Sequence, residues 1–401
     1  MIRTTDRPAH RRSVNYENIA AALKYRGEEF TYDMVEQLFA SGKTVPSDWS
    51  LKRLCQAVCG HEFVESLMAH YGRGGFRLLT EAPSNASQFK NITGQIFYNE
   101  LHQGWMYADA GVMARLARAV QTNLESEKVA GIGKITGGAF TVRPGHPYPT
   151  AGMSEQYIET PATVKTGVIV ELTREDVYFD RTGQILERAR EVGEVLAIDK
   201  LERMVKVVAG IVNNHSWNGT AYDTYQTSTP WDNKDTSSGG VKLTSWADIN
   251  TARAYLTAMR HPETSKPIVM SPRSLVVTPA KEFTARQIIN ATEVRTTSGS
   301  QEMLTVNPVG GMITDLVVSE FFKQALVDAG QSAADADDTW ILGDLQKAFA
   351  YRENWPLTVV QAPAGNEAEF TRDVTARFKA SERGVMAVME PRAVVLMDQT
   401  N

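Results

Sequence analysis

The sequence predicts an α+β fold built around one long helix, and three observations carry that prediction. The run from Asp180 to Gly210 keeps helical spacing of its apolar residues over about 30 residues, a rod of roughly 45 Å. After it, strand-like and helix-like stretches alternate without a regular βαβ repeat. Before it, Glu127 to Glu171 is so rich in Gly and Pro that it cannot enclose a core of its own.

The elements follow in order. Arg3, Arg7, Arg11 and Arg12 against Asp6 make the first dozen residues a basic tail. Residues 1–83 are predicted to be a separate, mostly helical extension. Amphipathic pieces near Asn15–Tyr25, Tyr32–Ala40 and Asp48–Tyr71 are punctuated by Gly27, Gly42, Pro46 and Gly72. Ser47-Asp48 offers a cap, and Leu51, Leu54, Cys55 and Val58 share a face. Tyr71–Gly75 and Pro83–Ser87 read as a linker. Residues 84–126 follow, with helical patterning clearest over Ala114–Val120. Residues 127–172 read as an extended loop that forms strand near Val164, Val168, Ile169 and Val170 and finds its partners elsewhere.

Residues 173–212 carry the long helix. Asp180 and Thr182 are capping residue types, and Gly210 closes the run. Ile185, Ala189, Val192 and Leu196 fall on one face. After Ile198 the stripe rotates to Leu201, Met204, Val205 and Val208, which predicts two packing partners along one rod. Asp199 and Lys200 break any heptad seam. Glu187, Arg188, Arg190, Glu191 and Glu194 leave a mixed-sign outer surface.

Residues 213–401 open with a polar loop, Asn213–Gly240, and then the helix Ser245–Arg260. Ile268–Met270 and Leu275–Thr278 read as strands, and Pro279 starts the helix Ala280–Ala291. A strand at Leu316–Val318 precedes the helix Glu320–Asp328. Trp340–Leu342, Ala348–Tyr351, Thr371–Ala380, Val385–Met389 and Ala393–Met397 complete the strands.

A chain of 401 residues can bury a substantial core, and its net charge of −5 argues against a surface that is wholly a nucleic-acid footprint. No apolar run has the length of a membrane span, and the start lacks the apolar core of a signal peptide. The two cysteines, Cys55 and Cys59, form no disulfide framework and fit a reducing cytoplasm. Gly131-Ile132-Gly133-Lys134-Ile135-Thr136 fails both phosphate-loop patterns: Ile135 stands where a hydroxyl should meet the metal, and Thr136 breaks the dinucleotide pattern. Cys55 and Cys59 with His61 and His70 lack a second cysteine pair for zinc. Asp335, Asp337 and Asp338 lack the glycine and closing glutamate of a calcium loop. Gly152-Met153-Ser154-Glu155-Gln156 ends wrongly for a nucleophile elbow. The aromatics of Trp217–Trp231 suit local packing. No enzyme, cofactor or metal signature stands out.

The most specific text lies in the carboxyl half: Ser274-Leu275-Val276-Val277-Thr278-Pro279 before Phe283–Ala291, Asn307-Pro308 before Leu316-Val317-Val318, Trp340-Ile341-Leu342-Gly343-Asp344, and Phe370-Thr371-Arg372-Asp373-Val374 with Phe378-Lys379 and Gly384-Val385. Together with Phe89–Ile96, Thr173-Arg174-Glu175-Asp176 and the long helix, this order resembles the major capsid protein of tailed bacteriophages, of the Hong Kong ninety-seven type, over about three-quarters of the chain.

The resemblance implies a peripheral domain on a spine helix, an axial domain, an N-terminal arm beginning at Phe89–Ile96 and an extended loop that clasps neighbours. It implies a virion subunit assembled in the bacterial host cytoplasm. Pentamers and hexamers would form an icosahedral shell around double-stranded DNA, with portal, scaffold, protease or decoration proteins as partners and no membrane. Glu155, Tyr157, Lys165, Glu187, Arg188 and Arg190 are the assembly contacts it suggests, and Arg3, Arg7, Arg11 and Arg12 the DNA-facing tail. Residues 1–83 exceed a simple arm and match the place of a scaffold-like region in some relatives. Lys165 lies near the loop, but nothing fixes a crosslinking partner. Two alternatives stand beside this reading: an encapsulin-like nanocompartment shell and an α+β enzyme without a recognisable motif.

Overall fold

The computed structural model describes residues 14–40, 49–59, 83–109, 111–130, 135–136, 156–173, 182–228, 230–235, 240–261, 265–298, 301–362 and 374–398, together with 142, 144, 152–153 and 237. The first helices are α1 (Tyr16–Arg26), α2 (Glu28–Ala40), α3 (Leu51–Cys59), α4 (Pro83–Asp109) and α5 (Val112–Leu116). Six strands follow: β1 (Arg118–Gln121), β2 (Lys128–Ala130), β3 (Ile135–Thr136), β4 (Gly152–Met153), β5 (Tyr157–Glu159) and β6 (Val164–Thr173). The long helix α6 (Thr182–Val208) leads to β7 (His215–Trp217), β8 (Thr220–Tyr222), β9 (Thr227–Ser228), β10 (Trp231–Asp232) and α7 (Trp246–Ala258). Next come β11 (Ser274–Val277), α8 (Glu282–Asn290), β12 (Glu293–Ser298), β13 (Gln301–Val306), β14 (Asp315–Val318), α9 (Glu320–Asp328) and α10 (Ala333–Asp338). The chain closes with β15 (Trp340–Gly343), α11 (Leu345–Ala348), β16 (Phe349–Gln361), β17 (Val374–Val388) and β18 (Val394–Met397). The mixed α+β class expected from the sequence is the class observed.

The chain divides into two compact units. The first takes Met1–Ala110, Thr166–Ile198 and Leu357–Glu382; the second takes Gly111–Lys165, Asp199–Pro356 and Arg383–Asn401.

In the first unit, Ile19 and Leu23 of α1, Val35 of α2 and Leu54 of α3 share one core with Phe97, Leu186 and Phe378. The described helices α1 to α3 thus pack on one another and in the same core as α4, α6 and β17. Asn15 caps α1 by accepting from Asn18 N at 3.1 Å. The cap of α3 is Ser50, which accepts from Arg53 N at 3.2 Å; Ser47 and Asp48 lie outside the described residues.

The segment expected to be linker and extended arm is instead helix, the 27 residues of α4. Asn91, Thr93 and Gly94 are weak helix formers, and local propensity alone would not hold them. Packing does: Ile96, Phe97 and, four residues after Phe97, Leu101 are buried, and Phe97 stacks on Phe378 at 4.6 Å between ring centroids.

Two glycines let α4 approach α6 closely. A Cβ at Gly193 would lie 2.0 Å from the Leu101 carbonyl oxygen, and one at Gly104 would lie 2.1 Å from that of Arg190. The helices touch backbone to backbone, flanked by Leu101, Leu196 and Ala380.

The helix α6 spans 27 residues, close to the expected extent. Its buried positions run Ile185, Leu186, Ala189, Gly193, Leu196, Ala197, Lys200, Leu201, Met204, Val205, Val207 and Val208. Ala197 and Lys200 bridge the stripes that the sequence kept apart, so burial is one band that broadens after Ile198 instead of a rotated seam. The continuity of that band refutes the rotation as the reason for two partners. Membership still changes along the rod: Ile185 to Ile198 belong to the first unit and Asp199 onward to the second. Lys200, expected to interrupt the pattern, lies buried 3.5 Å from Glu353 and 4.2 Å from the Tyr351 ring centroid. Gly210 ends the helix at φ +73°, and a Cβ there would strike the Tyr225 ring at 2.5 Å. Tyr225 donates to the Val208 carbonyl at 2.7 Å.

The second unit is centred on a four-stranded sheet ordered β14-β11-β15-β18, with β11–β14 parallel and the other pairs antiparallel. Every residue of β11, β15 and β18 is buried, as a strand covered on both faces requires. Leu256 of α7 and Ile288 of α8 pack on it with Trp340. A Ser245–Asp248 capping box starts α7.

Three further expectations change. Ile268–Met270 is not a strand, because Pro267 and Pro272 flank it and supply no backbone N–H. Ala114–Val120 is not one helix: α5 stops at Leu116, and β1 pairs in parallel with Ala350–Glu353 of β16. The polar loop Asn213–Gly240 contains four short strands, β7 to β10. Its aromatics do pack locally, with Trp231 5.3 Å from His215 and 5.5 Å from Tyr222.

Candidate assembly surfaces

The strand β6 ends the sheet β1-β16-β17-β6. Beta-branched residues at Val164, Thr166, Val168, Ile169 and Val170 favour extended backbone. Gly167 brings it against β17, since a Cβ there would meet the Ala380 carbonyl oxygen at 2.5 Å. Arg377 of β17 is paired with Glu171 of β6. A strand with one face on a core should alternate buried and exposed residues. This one does not: Val164, Lys165, Gly167, Val168 and Ile169 are all exposed, with Val164 at 53% and Ile169 at 56%. Val164, Val168 and Ile169 are uncovered apolar side chains that fall on both faces, Val170 packs against the core of the first unit, and among the described residues the outer edge has no neighbouring strand.

A second surface is the ribbon β12–β13, which sequence reasoning missed because its Thr-rich text shows no clear alternation. Glu293 pairs with Val306 and Arg295 with Leu304, so those four side chains share one face. Leu304 and Val306 are 65% and 80% exposed. Buried Asn307 fixes the base of the ribbon. Its Nδ2 donates to the carbonyls of Ile288 at 2.7 Å and Ala291 at 2.9 Å, and its Oδ1 accepts from Val309 N at 3.0 Å.

The residues suggested as assembly contacts fall in different units. Tyr157 and Lys165 belong to the second; Glu187, Arg188 and Arg190 belong to the first. Tyr157 is half-buried in β5, with the Lys128 ammonium 4.3 Å from its ring centroid. Lys165, Glu187 and Arg188 are exposed. Arg190 is half-buried at the glycine crossing, 3.9 Å from Glu194. Glu155, Arg3, Arg7, Arg11 and Arg12 lie outside the described residues.

Asp337 pairs with Lys323 at 2.7 Å, and Asp338 with Lys242 and Lys281, both at 2.7 Å, so lysines occupy the carboxylates. His61 and His70 lie outside the described residues. Among the described residues no group of three or more His, Cys, Asp or Glu is placed to hold a metal ion, and no helix is long and apolar enough to cross a membrane.

A family model described as phage capsid protein matches residues 156–397, more than half of the chain. This chain belongs to the phage capsid protein family. It is a structural shell subunit, a component of a virion made from many copies. No curated protein matches the capsid protein in sequence. Among solved structures it is similar to the virus-like particle from Pyrococcus furiosus at 13% identity, covering 75% of this chain and 99% of that one with a TM-score of 0.39. It is also similar to the capsid of the Cyanophage P-SCSP1u at 14% identity, covering 72% and 87% with a TM-score of 0.44. A third similarity is to the holo-SrpI encapsulin complex from Synechococcus elongatus PCC 7942, at 11% identity, covering 72% and 87% with a TM-score of 0.40.

Proposed function

We propose that this capsid protein forms pentamers and hexamers that close into an icosahedral shell around double-stranded DNA, assembled in the cytoplasm of a bacterial host. One observation carries the reading: β6, a strand of 10 residues, leaves Val164, Val168 and Ile169 exposed and, among the described residues, an unpaired edge. Such a strand gains its burial from other copies, through heterologous contacts that close into rings. In this reading residues 127–172 act as the loop that clasps a neighbour, with Glu155, Tyr157 and Lys165 along it. Glu187, Arg188 and Arg190 form a second contact. The basic tail Arg3, Arg7, Arg11 and Arg12 faces the packaged DNA by charge alone. Portal, scaffold, protease or decoration proteins are the further partners, and the subunit does no catalysis.

Electron microscopy of the purified protein with Lys165→Glu as the comparison tests it. The wild type should give closed shells. The variant should keep the far-UV spectrum and melting temperature of the wild type and lose closed particles. A variant that unfolds while residual folded material still assembles would refute the placement of Lys165. Small compact particles under all assembly conditions would refute the shell. Nuclease-protected DNA in native particles supports the DNA shell, and protein cargo in its place would make it a nanocompartment.

A further inference from the structure

The first unit holds one carboxyl that shell formation leaves unused. Glu100, in the C-terminal half of α4, has no solvent exposure, and both of its Oε atoms are buried without a hydrogen-bond partner. It directly precedes Leu101, whose carbonyl oxygen is the point that Gly193 of α6 approaches. A bare buried carboxylate is costly to keep ionised.

Among the described residues the charges around it are few. On α6, Arg190 is the one charge that acts on Glu100, and it is shared with Glu194; Glu187, Arg188 and Glu191 are exposed. On α2, Glu29, Asp33 and Glu36 are exposed, as is Arg53 on α3. On β17, Arg377 is paired with Glu171, Glu382 accepts from Thr166, and Lys379 is exposed. Burial therefore dominates and pushes the Glu100 pKa from its ordinary 4.5 up to about 7, with Arg190 pulling the other way.

We propose that Glu100 is a protonation-controlled latch on the α4–α6 crossing, closed to glycine contact as the neutral acid and driven open towards Arg190 and water as the carboxylate. The latch belongs to the folded subunit and holds whether or not copies assemble. Its sign follows from the raised pKa: the stabilisation is full below the ordinary value of 4.5 and is lost as pH rises through about 7. If opening restores the ordinary value, the open population rises about tenfold between pH 6 and pH 8 and levels off above that.

Hydrogen exchange tests this on the full chain in its unassembled form, wild type against Glu100→Gln. Rates are corrected for intrinsic exchange and read on α4 and residues 182–198, with β11 and β15 as the internal reference. The wild type should show the tenfold rise in opening, and the variant should be flat. Parallel pH profiles for the two proteins would overturn the latch. Should the variant not fold, the wild-type profile decides alone: a tenfold rise relative to the reference strands supports the latch, and opening independent of pH between 6 and 8 overturns it.

Discussion

Replacing Gly193 with alanine puts the backbone contact of α4 and α6 under direct test. The added Cβ would sit 2.0 Å from the Leu101 oxygen, 2.9 Å from its carbonyl carbon and 3.1 Å from the Trp105 nitrogen. All three are helix backbone, so no side-chain rotation relieves the overlap, and the helices must part by about 1 Å or more to restore van der Waals spacing. Overpacking of this kind costs about 1–3 kcal/mol, and a contact this short against fixed backbone belongs at the upper end. Alanine recovers about 1 kcal/mol of helix propensity relative to glycine. The balance is a loss of about 2 kcal/mol, roughly a 30-fold shift of the folding equilibrium, because 1.4 kcal/mol is a factor of ten. Urea denaturation of the unassembled subunit, followed by circular dichroism, measures it. A Gly193→Ala variant as stable as the wild type, or more so, would refute the close crossing, because propensity would then be the only effect at work.

Three other expectations are independent of that one. Asn307→Ala removes three hydrogen bonds at the base of β12–β13 and should cost about 2–3 kcal/mol, with faster hydrogen exchange over residues 293–306; unchanged exchange there would show that the ribbon is held by other contacts. Leu196→Asp places an unpaired charge at a buried position and should cost about 3–5 kcal/mol, read as a lowered urea midpoint with unchanged slope. Burial holds the His215 pKa below its usual 6.5, and Nδ1 must carry the proton it donates to the Val388 carbonyl at 2.9 Å. Its contribution is therefore present above pH 6.5 and lost as pH falls through the lowered folded value, so His215→Gln should lose less stability than the wild type on acidification from pH 7 to pH 5. Equal acid slopes would remove the histidine from the account.

What could be read from sequence was set by whether packing agreed with local pattern. The strands Leu275–Val277 and Trp340–Leu342 and the helix Glu320–Asp328 were legible because continuous apolar runs and a regular stripe say the same thing as their burial. The helix α4 was not: Pro83-Ser84-Asn85-Ala86-Ser87 and Asn91-Ile92-Thr93-Gly94 have the composition of a linker, and the packing of α4 as a whole on α2 and α3 is not written in that composition. Lys200 broke a stripe on paper and completes one in the fold, because Glu353 and Tyr351, about 150 residues away, satisfy it. Gly104, Gly193 and Glu100 left no signal beyond small size and a polar residue inside an apolar stretch. Their meaning lies in a distance between two helices. Among the assembly residues, the strand around Lys165 was legible from Val164, Val168, Ile169 and Val170, whereas Arg190 was expected on an open charged flank and lies half-buried at the crossing.

The bare strand β6 also sets a clock. Between synthesis and incorporation, every free copy carries exposed apolar side chains on an edge strand to which another extended chain can add. Productive partners and stray ones compete for the same hydrogen-bonding groups, and the outcome depends on how quickly a correct neighbour arrives. Slow accumulation at low concentration thus favours loss to aggregates, and synthesis in a burst favours shells.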